Sequence, residues 1–243
     1  MYPYIHIVLP SYAVLAFIGA FLVLVFLYFR IEKYEMEFID FIKGFIYSAV
    51  CVFLGSKVLF IITQIPQLIT DFSLQNVLNI VIHSGFVYYG GLLGMLCGIR
   101  IYVSHHSQYD LKSIHNMIAP AIPLFHAFGR IGCFMAGCCY GKELVNPIVI
   151  GNYIQINRVP TQLIEVLFEI VIFFILLVLG RNNSTNLLKI QLLSYAVFRF
   201  LIEFYRGDEG RGIWFGISTS QWISLFIIIY YVIQTLRRMV KSE

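Results

Sequence analysis

The sequence predicts an all-α, polytopic integral membrane protein with seven transmembrane helices. Three observations carry this expectation. Hydrophobic residues fill 59% of the 243 positions and charged residues only 12%. The mean hydropathy is +0.81. The apolar residues gather in stretches of roughly 20, the length that matches the hydrocarbon layer of a bilayer. Soluble domains run near ~25% charged, and a chain of this length could not hide so much apolar surface in one water-soluble core. Disordered and collagen-like classes are excluded by the same composition, and five cysteines in 243 residues make no disulfide framework. Within lipid each backbone polar group must be satisfied inside its own segment, which selects helices.

Taken in order, residues 1–29 carry no Lys, Arg, Asp or Glu, and 12–29 reads as the first span. The basic residue follows the apolar run as Arg30 instead of preceding it, so a cleaved signal peptide is not expected. Further spans are expected at about 41–65, 85–103, 118–140, 161–179, 187–205 and 217–236, all within one transmembrane domain covering 1–243. Between the second and third, Pro66, Asp71 and Asn76 interrupt the apolar character of residues 64–84, which suits an interfacial helix. Seven spans place the termini on opposite faces. With the N-terminus outside, the inner side holds Arg30, Lys33, Lys43, Arg100, Lys112, Arg181, Lys189, Arg237, Arg238 and Lys241. The outer side then holds Lys142, Arg158, Arg206 and Arg211, and this asymmetry puts the C-terminus in the cytoplasm. The net charge of +4 is explained by that distribution and calls for no nucleic-acid partner.

Lys57, Arg130, Glu165, Glu169, Arg199 and Glu203 fall inside these spans. An unpaired charge there costs roughly 2.5 to 3.5 kcal/mol by insertion scales, so the six are expected to face one another or a wet cavity. Helical spacing supports this. His126, Arg130, Cys133 and Gly137 share one face of the fourth helix; Gln162, Glu165 and Glu169 share a face of the fifth. In the sixth, Glu203 stands four residues from Arg199 and three from Arg206. Satisfied ion pairs that hold helices in register are the bland reading of any one pair. Three or four cations against three carboxylates leave capacity for an anion, and the guanidinium fork suits phosphate oxygens. A phospholipid headgroup is the nearest abundant anion, and the cavity is expected to open outward.

Other residues have cheaper explanations. Gly90, Gly91, Gly94 and Gly98 suit a close helix contact, and Tyr88 and Tyr89 suit the outer aromatic belt. His126, Cys133, Cys138 and Cys139 match no usual ligand spacing, so neither a metal nor another cofactor is expected.

The stretch from Phe125 to Gly141, Phe-His-Ala-Phe-Gly-Arg-Ile-Gly-Cys-Phe-Met-Ala-Gly-Cys-Cys-Tyr-Gly, resembles the signature of bacterial prolipoprotein diacylglyceryl transferases. Other landmarks follow in the same order. Leu54-Gly55-Ser56-Lys57 resembles that family's Gly-Arg segment, and Tyr89-Gly90-Gly91-Leu92-Leu93-Gly94 resembles its His-Gly-Gly segment. Val159 to Glu165 is similar to its Pro-Ser-Gln-Leu-Tyr-Glu motif, and Tyr195 to Arg206 is similar to its Tyr, Arg-Phe, Glu-Phe, Arg pattern. The resemblance implies a multi-pass enzyme of the bacterial plasma membrane. It would transfer the diacylglyceryl group of phosphatidylglycerol to the lipobox cysteine of a prolipoprotein, giving a thioether and releasing glycerol phosphate. Arg130, Arg199 and Arg206 would then stabilise the leaving phosphate, with Glu203 orienting the two arginines beside it. Lys57, Gly90, Gly91, Gln162, Glu165 and Tyr195 would complete the substrate site. Where the family often has a histidine proposed as base, this chain has Tyr89, whose ordinary pKa near ~10 suits that role poorly; His126 is the other candidate. Alternatives from other classes are a paralogue with a different acceptor, a non-catalytic carrier of an anionic lipid or solute, and a thiol oxidoreductase.

Overall fold

In the computed structural model of the chain, the described residues are 4–5, 9–70, 73, 75, 78, 87–106, 108–150, 154–181, 185–208 and 212–242. They are mostly helical: α1 is Ser11–Ile31, α2 Phe38–Thr70, α3 Tyr88–His105, α4 Leu111–Ile118, α5 Ala121–Ala136, α6 Thr161–Leu179, α7 Leu187–Ile202 and α8 Thr219–Ser242. Five helical segments are long and apolar enough to cross a membrane: Ser11–Tyr34, Phe38–Ile65, Leu111–Ala136, Thr161–Leu179 and Thr219–Val240. The other two expected spans correspond to α3 and α7. Glycines and Arg100 lower the apolar character of α3, while α7 has 16 residues and carries Lys189, Gln191 and Arg199.

Helix ends depart from the expected bounds for identifiable reasons. The second helix runs on to Thr70, so the start of the expected interfacial segment 64–84 continues α2, and most of the remainder lies outside the described residues. The fourth expected span is two helices, because Pro120 lacks the N–H that would extend the ladder of α4. It stops at Ala136 because Gly137 adopts the left-handed conformation at φ +74°, its N–H returning to Cys133 and Phe134. Residues 142–158, expected as a loop, hold an antiparallel hairpin of β3 (Glu143–Ile150) and β4 (Ile154–Arg158). Its foot is tied down: Gly141 bridges Arg206, Lys142 N–H donates to the Tyr205 carbonyl at 2.8 Å, and Arg158 pairs with Glu143 at 2.9 Å. Two shorter hairpins, β1–β2 (Tyr4–Ile5, Leu9–Pro10) and β5–β6 (Ile213–Trp214, Ile217–Ser218), precede α1 and α8.

The chain divides into two compact units. The first comprises 1–30, 115–210 and 221–243. Here α5 packs along α6, Phe168 of α6 stacks on Phe198 of α7 at 4.0 Å, and Phe26 of α1 meets Phe173 of α6 at 5.5 Å. At the start of α7, Asn116 accepts from the Leu187 N–H at 2.9 Å and donates to the Thr185 carbonyl at 2.8 Å.

The second unit comprises 31–114 and 211–220, and its main contact is the crossing of α2 and α3. The glycines set the separation. A Cβ built on Gly94 would stand 2.1 Å from the Cys51 carbonyl oxygen, and one on Gly90 2.4 Å from that of Gly55. Only glycine lets the two backbones approach so closely, which fits the small-residue contact expected for this run. At one end of this unit, buried Asp40 accepts from Tyr109 at 2.8 Å, Gln108 at 3.0 Å and Lys43 at 3.3 Å.

Candidate functional site

The first unit gathers the intramembrane charges of three helices. Arg130 sits two turns before the end of α5, Glu165 in the first turns of α6, and Arg199 near the end of α7. One oxygen joins them: Glu165 Oε1 accepts from Arg130 Nη2 at 2.7 Å and from Arg199 Nη1 at 3.0 Å. All three are buried, and Glu165 is only 1% exposed. Arg199 Nη2 continues the chain to Glu203 Oε2 at 2.7 Å, and Arg206 Nη1 lies 3.9 Å from that oxygen. Beyond the helix end, Asp208 takes both arms of the Arg206 fork, with Nε to Oδ1 at 2.8 Å. Burial and the like charge of Arg199 work against the Arg206 cation. The Asp208 carboxylate outweighs them, so the guanidinium pKa stands above its ordinary value.

Three guanidiniums, Arg130, Arg199 and Arg206, thus meet Glu165, Glu203 and Asp208, with Glu169 a fourth carboxylate in this unit, because Asp208 adds a charge that the span-by-span sequence count omits. The pairing is incomplete in its hydrogen bonds. Among the described residues, Arg130 Nε and Glu165 Oε2 are buried and have no hydrogen-bond partner. A guanidinium has five N–H donors, and the cluster keeps some of them for another acceptor.

One turn before Arg130, His126 Nδ1 lies 2.7 Å from Glu169 Oε1. One proton lies between these atoms, so the carboxylate fixes the ring and any proton exchanged with a third group passes through Nε2. Glu169 is fully buried. Tyr195 presents its ring edge-on to the imidazole at 5.2 Å, which restricts the ring from the α7 side. At the start of α6, buried Gln162 donates to the Cys138 carbonyl at 2.7 Å and Thr161 to the Cys139 carbonyl at 3.0 Å. These two bonds anchor the turn after α5.

Of the twelve residues singled out from the sequence, eight come together in this unit: His126, Arg130, Gln162, Glu165, Tyr195, Arg199, Glu203 and Arg206. Lys57, Tyr89, Gly90 and Gly91 belong to the second unit. There Tyr89, Gly90 and Gly91 are buried along the α2–α3 crossing, and the Lys57 ammonium lies 5.8 Å from the Phe53 ring. Sequence reasoning missed Asp208, whose signal was a carboxylate two residues after an arginine. It also left Gln191 aside, a fully buried amide in α7. Tyr12 was missed as well: Gly132 of α5 lies against it.

Apolar helices of membrane length that accompany a buried, linked cluster of guanidiniums and carboxylates define a multi-pass integral membrane protein. The chain belongs to the prolipoprotein diacylglyceryl transferase family, whose model matches residues 3–237. A phosphatidylglycerol–prolipoprotein diacylglyceryl transferase of Clostridium tetani is 36% identical over 184 residues, 72% of each chain. A second, from Clostridium perfringens, is 34% identical over 186 residues, 72% of this chain and 70% of its own. One from Helicobacter pylori strain P12 is 32% identical over 229 residues, 83% of this chain and 75% of its own.

Proposed function

We propose that this protein transfers the diacylglyceryl group of phosphatidylglycerol to the cysteine thiol of a prolipoprotein lipobox, in the bacterial plasma membrane. The observation that carries the proposal is the convergence of Arg130 and Arg199 on one oxygen of Glu165. In this reading the lipid phosphate takes guanidinium donors that Glu165 leaves unused, Arg130 Nε among them. The acceptor thiol loses its proton and its sulfur attacks the terminal glycerol carbon of the diacylglyceryl group. The C–O bond to phosphate breaks, and the electron pair stays on the phosphate oxygen. Negative charge therefore grows where the arginines stand, in a low-dielectric site where it is stabilised most. Glu203 and Asp208 hold Arg199 and Arg206 in place, and Gln162 and Tyr195 shape the cavity wall.

The proton takes one of two routes. His126, held by Glu169, accepts it at Nε2, or Tyr89 takes that role; the geometry of the His126–Glu169 pair favours the first. The seven spans form one transmembrane domain, with α3 and α7 as the third and sixth, the N-terminus outside and the cavity opening outward. Purified protein incubated with labelled phosphatidylglycerol and a lipobox peptide should yield a peptide heavier by one diacylglyceryl group, together with glycerol phosphate. Peptide that stays unmodified while the lipid is consumed would favour another acceptor.

A further inference from the structure

Cys133, Cys138 and Cys139 have no part in the transfer as derived above, yet their three sulfurs lie within 4.8 Å of one another. Cys133 belongs to the last turn of α5. The left-handed residues Gly137 (φ +74°) and Cys139 (φ +57°) turn the chain so that Cys138 and Cys139 come back beside it. The bonds from Gln162 and Thr161 to the carbonyls of Cys138 and Cys139 hold that turn from α6. Cys133 is buried and Cys138 is exposed, so the triad has a closed side and an open side.

From this geometry we infer that Cys133, Cys138 and Cys139 bind one Zn2+ ion with its fourth coordination position open, and that the acceptor thiol occupies that position. Zinc takes thiolates at ~2.3 Å, so neighbouring sulfurs in a tetrahedral site stand about 3.8 Å apart. The three sulfurs, within 4.8 Å of one another, stand close to that spacing. Linear spacing gave no hint of it, since adjacent cysteines after a helix end match no usual ligand pattern. Charge is consistent as well: three thiolates and one Zn2+ leave a single negative charge, and the buried guanidiniums of Arg130 and Arg206 belong to the same unit. Three protein ligands with one open position is the arrangement of a catalytic zinc site.

The inference rests on the proposed thiol alkylation and supplies what that reaction needs. A thiol bound to zinc gives up its proton readily, to the base proposed above, and stays a thiolate at neutral pH. Its sulfur then forms the C–S bond as the C–O bond to phosphate breaks, the leaving pair goes to the phosphate oxygen, and the zinc keeps its charge.

The test uses the full-length protein, reduced and stripped with a chelator in detergent, then titrated with Zn2+ and with Cd2+. One ion per chain is expected, with Cd2+ giving a charge-transfer absorbance worth three thiolates and a fourth on addition of a lipobox peptide. Cys133→Ser, Cys138→Ser and Cys139→Ser should each weaken binding at least tenfold, while Cys97→Ser leaves it unchanged. Absence of stoichiometric metal on the wild-type protein overturns the inference whatever the variants do, and so does binding that survives the triple substitution. Full transfer by the stripped protein would sink the zinc site and leave the transferase reading standing. Metal bound by the triad with no transfer from either substrate would sink the transferase reading instead.

Discussion

Glu165 does at the residue scale what no pair within one helix could do, since its single Oε1 ties α5 to α7. Arg130 must therefore offer a planar fork and not merely a charge. Arg130→Lys retains the cation and loses the geometry, and transfer measured with labelled lipid should fall about 10²- to 10³-fold, the loss typical of one transition-state donor. Removing the shared carboxylate acts on the fold instead. Glu165→Ala leaves two buried guanidiniums facing each other and should destabilise by about 3 to 5 kcal/mol, read from thermal unfolding in detergent. The proton route is decided by a second pair. His126→Ala should reduce transfer about 10²- to 10⁴-fold and Tyr89→Phe much less; the reverse ranking assigns the role to Tyr89. The charges themselves, and their grouping on helix faces, were legible from spacing. Their partners across helices were not, because the bond from His126 to Glu169 spans 43 positions and depends on how two helices are turned about their axes.

At the scale of elements, apolar length located the spans well and stopping points less so. The fifth span was read as 161–179 and is observed as Thr161–Leu179, because Pro160 and Gly180 bracket a mostly apolar run whose few polar residues lie in its first half. The fourth was read four residues too long, since the stop is a backbone event at Gly137 that hydropathy does not register. The hairpin of β3 and β4 went unread although Val and Ile flank Gly151-Asn152, a pattern easily overlooked beside long apolar helices. The α2–α3 crossing yields a clear expectation. Gly94→Val would drive a branched side chain into the Cys51 carbonyl, at a cost of ~1 to 3 kcal/mol or more. Thermal unfolding should show that loss, and Leu93→Val at the exposed neighbouring position should leave stability nearly unchanged.

For the whole molecule, the excess of Lys and Arg in alternate connections predicts a topology that can be measured directly. Reporter fusions at residue 110 and at the C-terminus should report a cytoplasmic location, and fusions within 142–158 an external one. Composition made the membrane class legible at once, because nothing else explains so much apolar surface. The family was legible separately, through motifs that resemble its own and recur in order along most of the chain. The assignment of residues to two units was not legible, since it follows from the docking of segments far apart in sequence, such as 1–30 with 115–210.

The contact of α2 with α3 reaches beyond stability. Where carbonyl oxygens of one helix touch the α-carbons of the other, no acyl chain fits between them. That seam is closed to a lipid from the surrounding leaflet. Bulky residues introduced between α2 and α3 would disturb folding without obstructing traffic, whereas a true portal would show the opposite response.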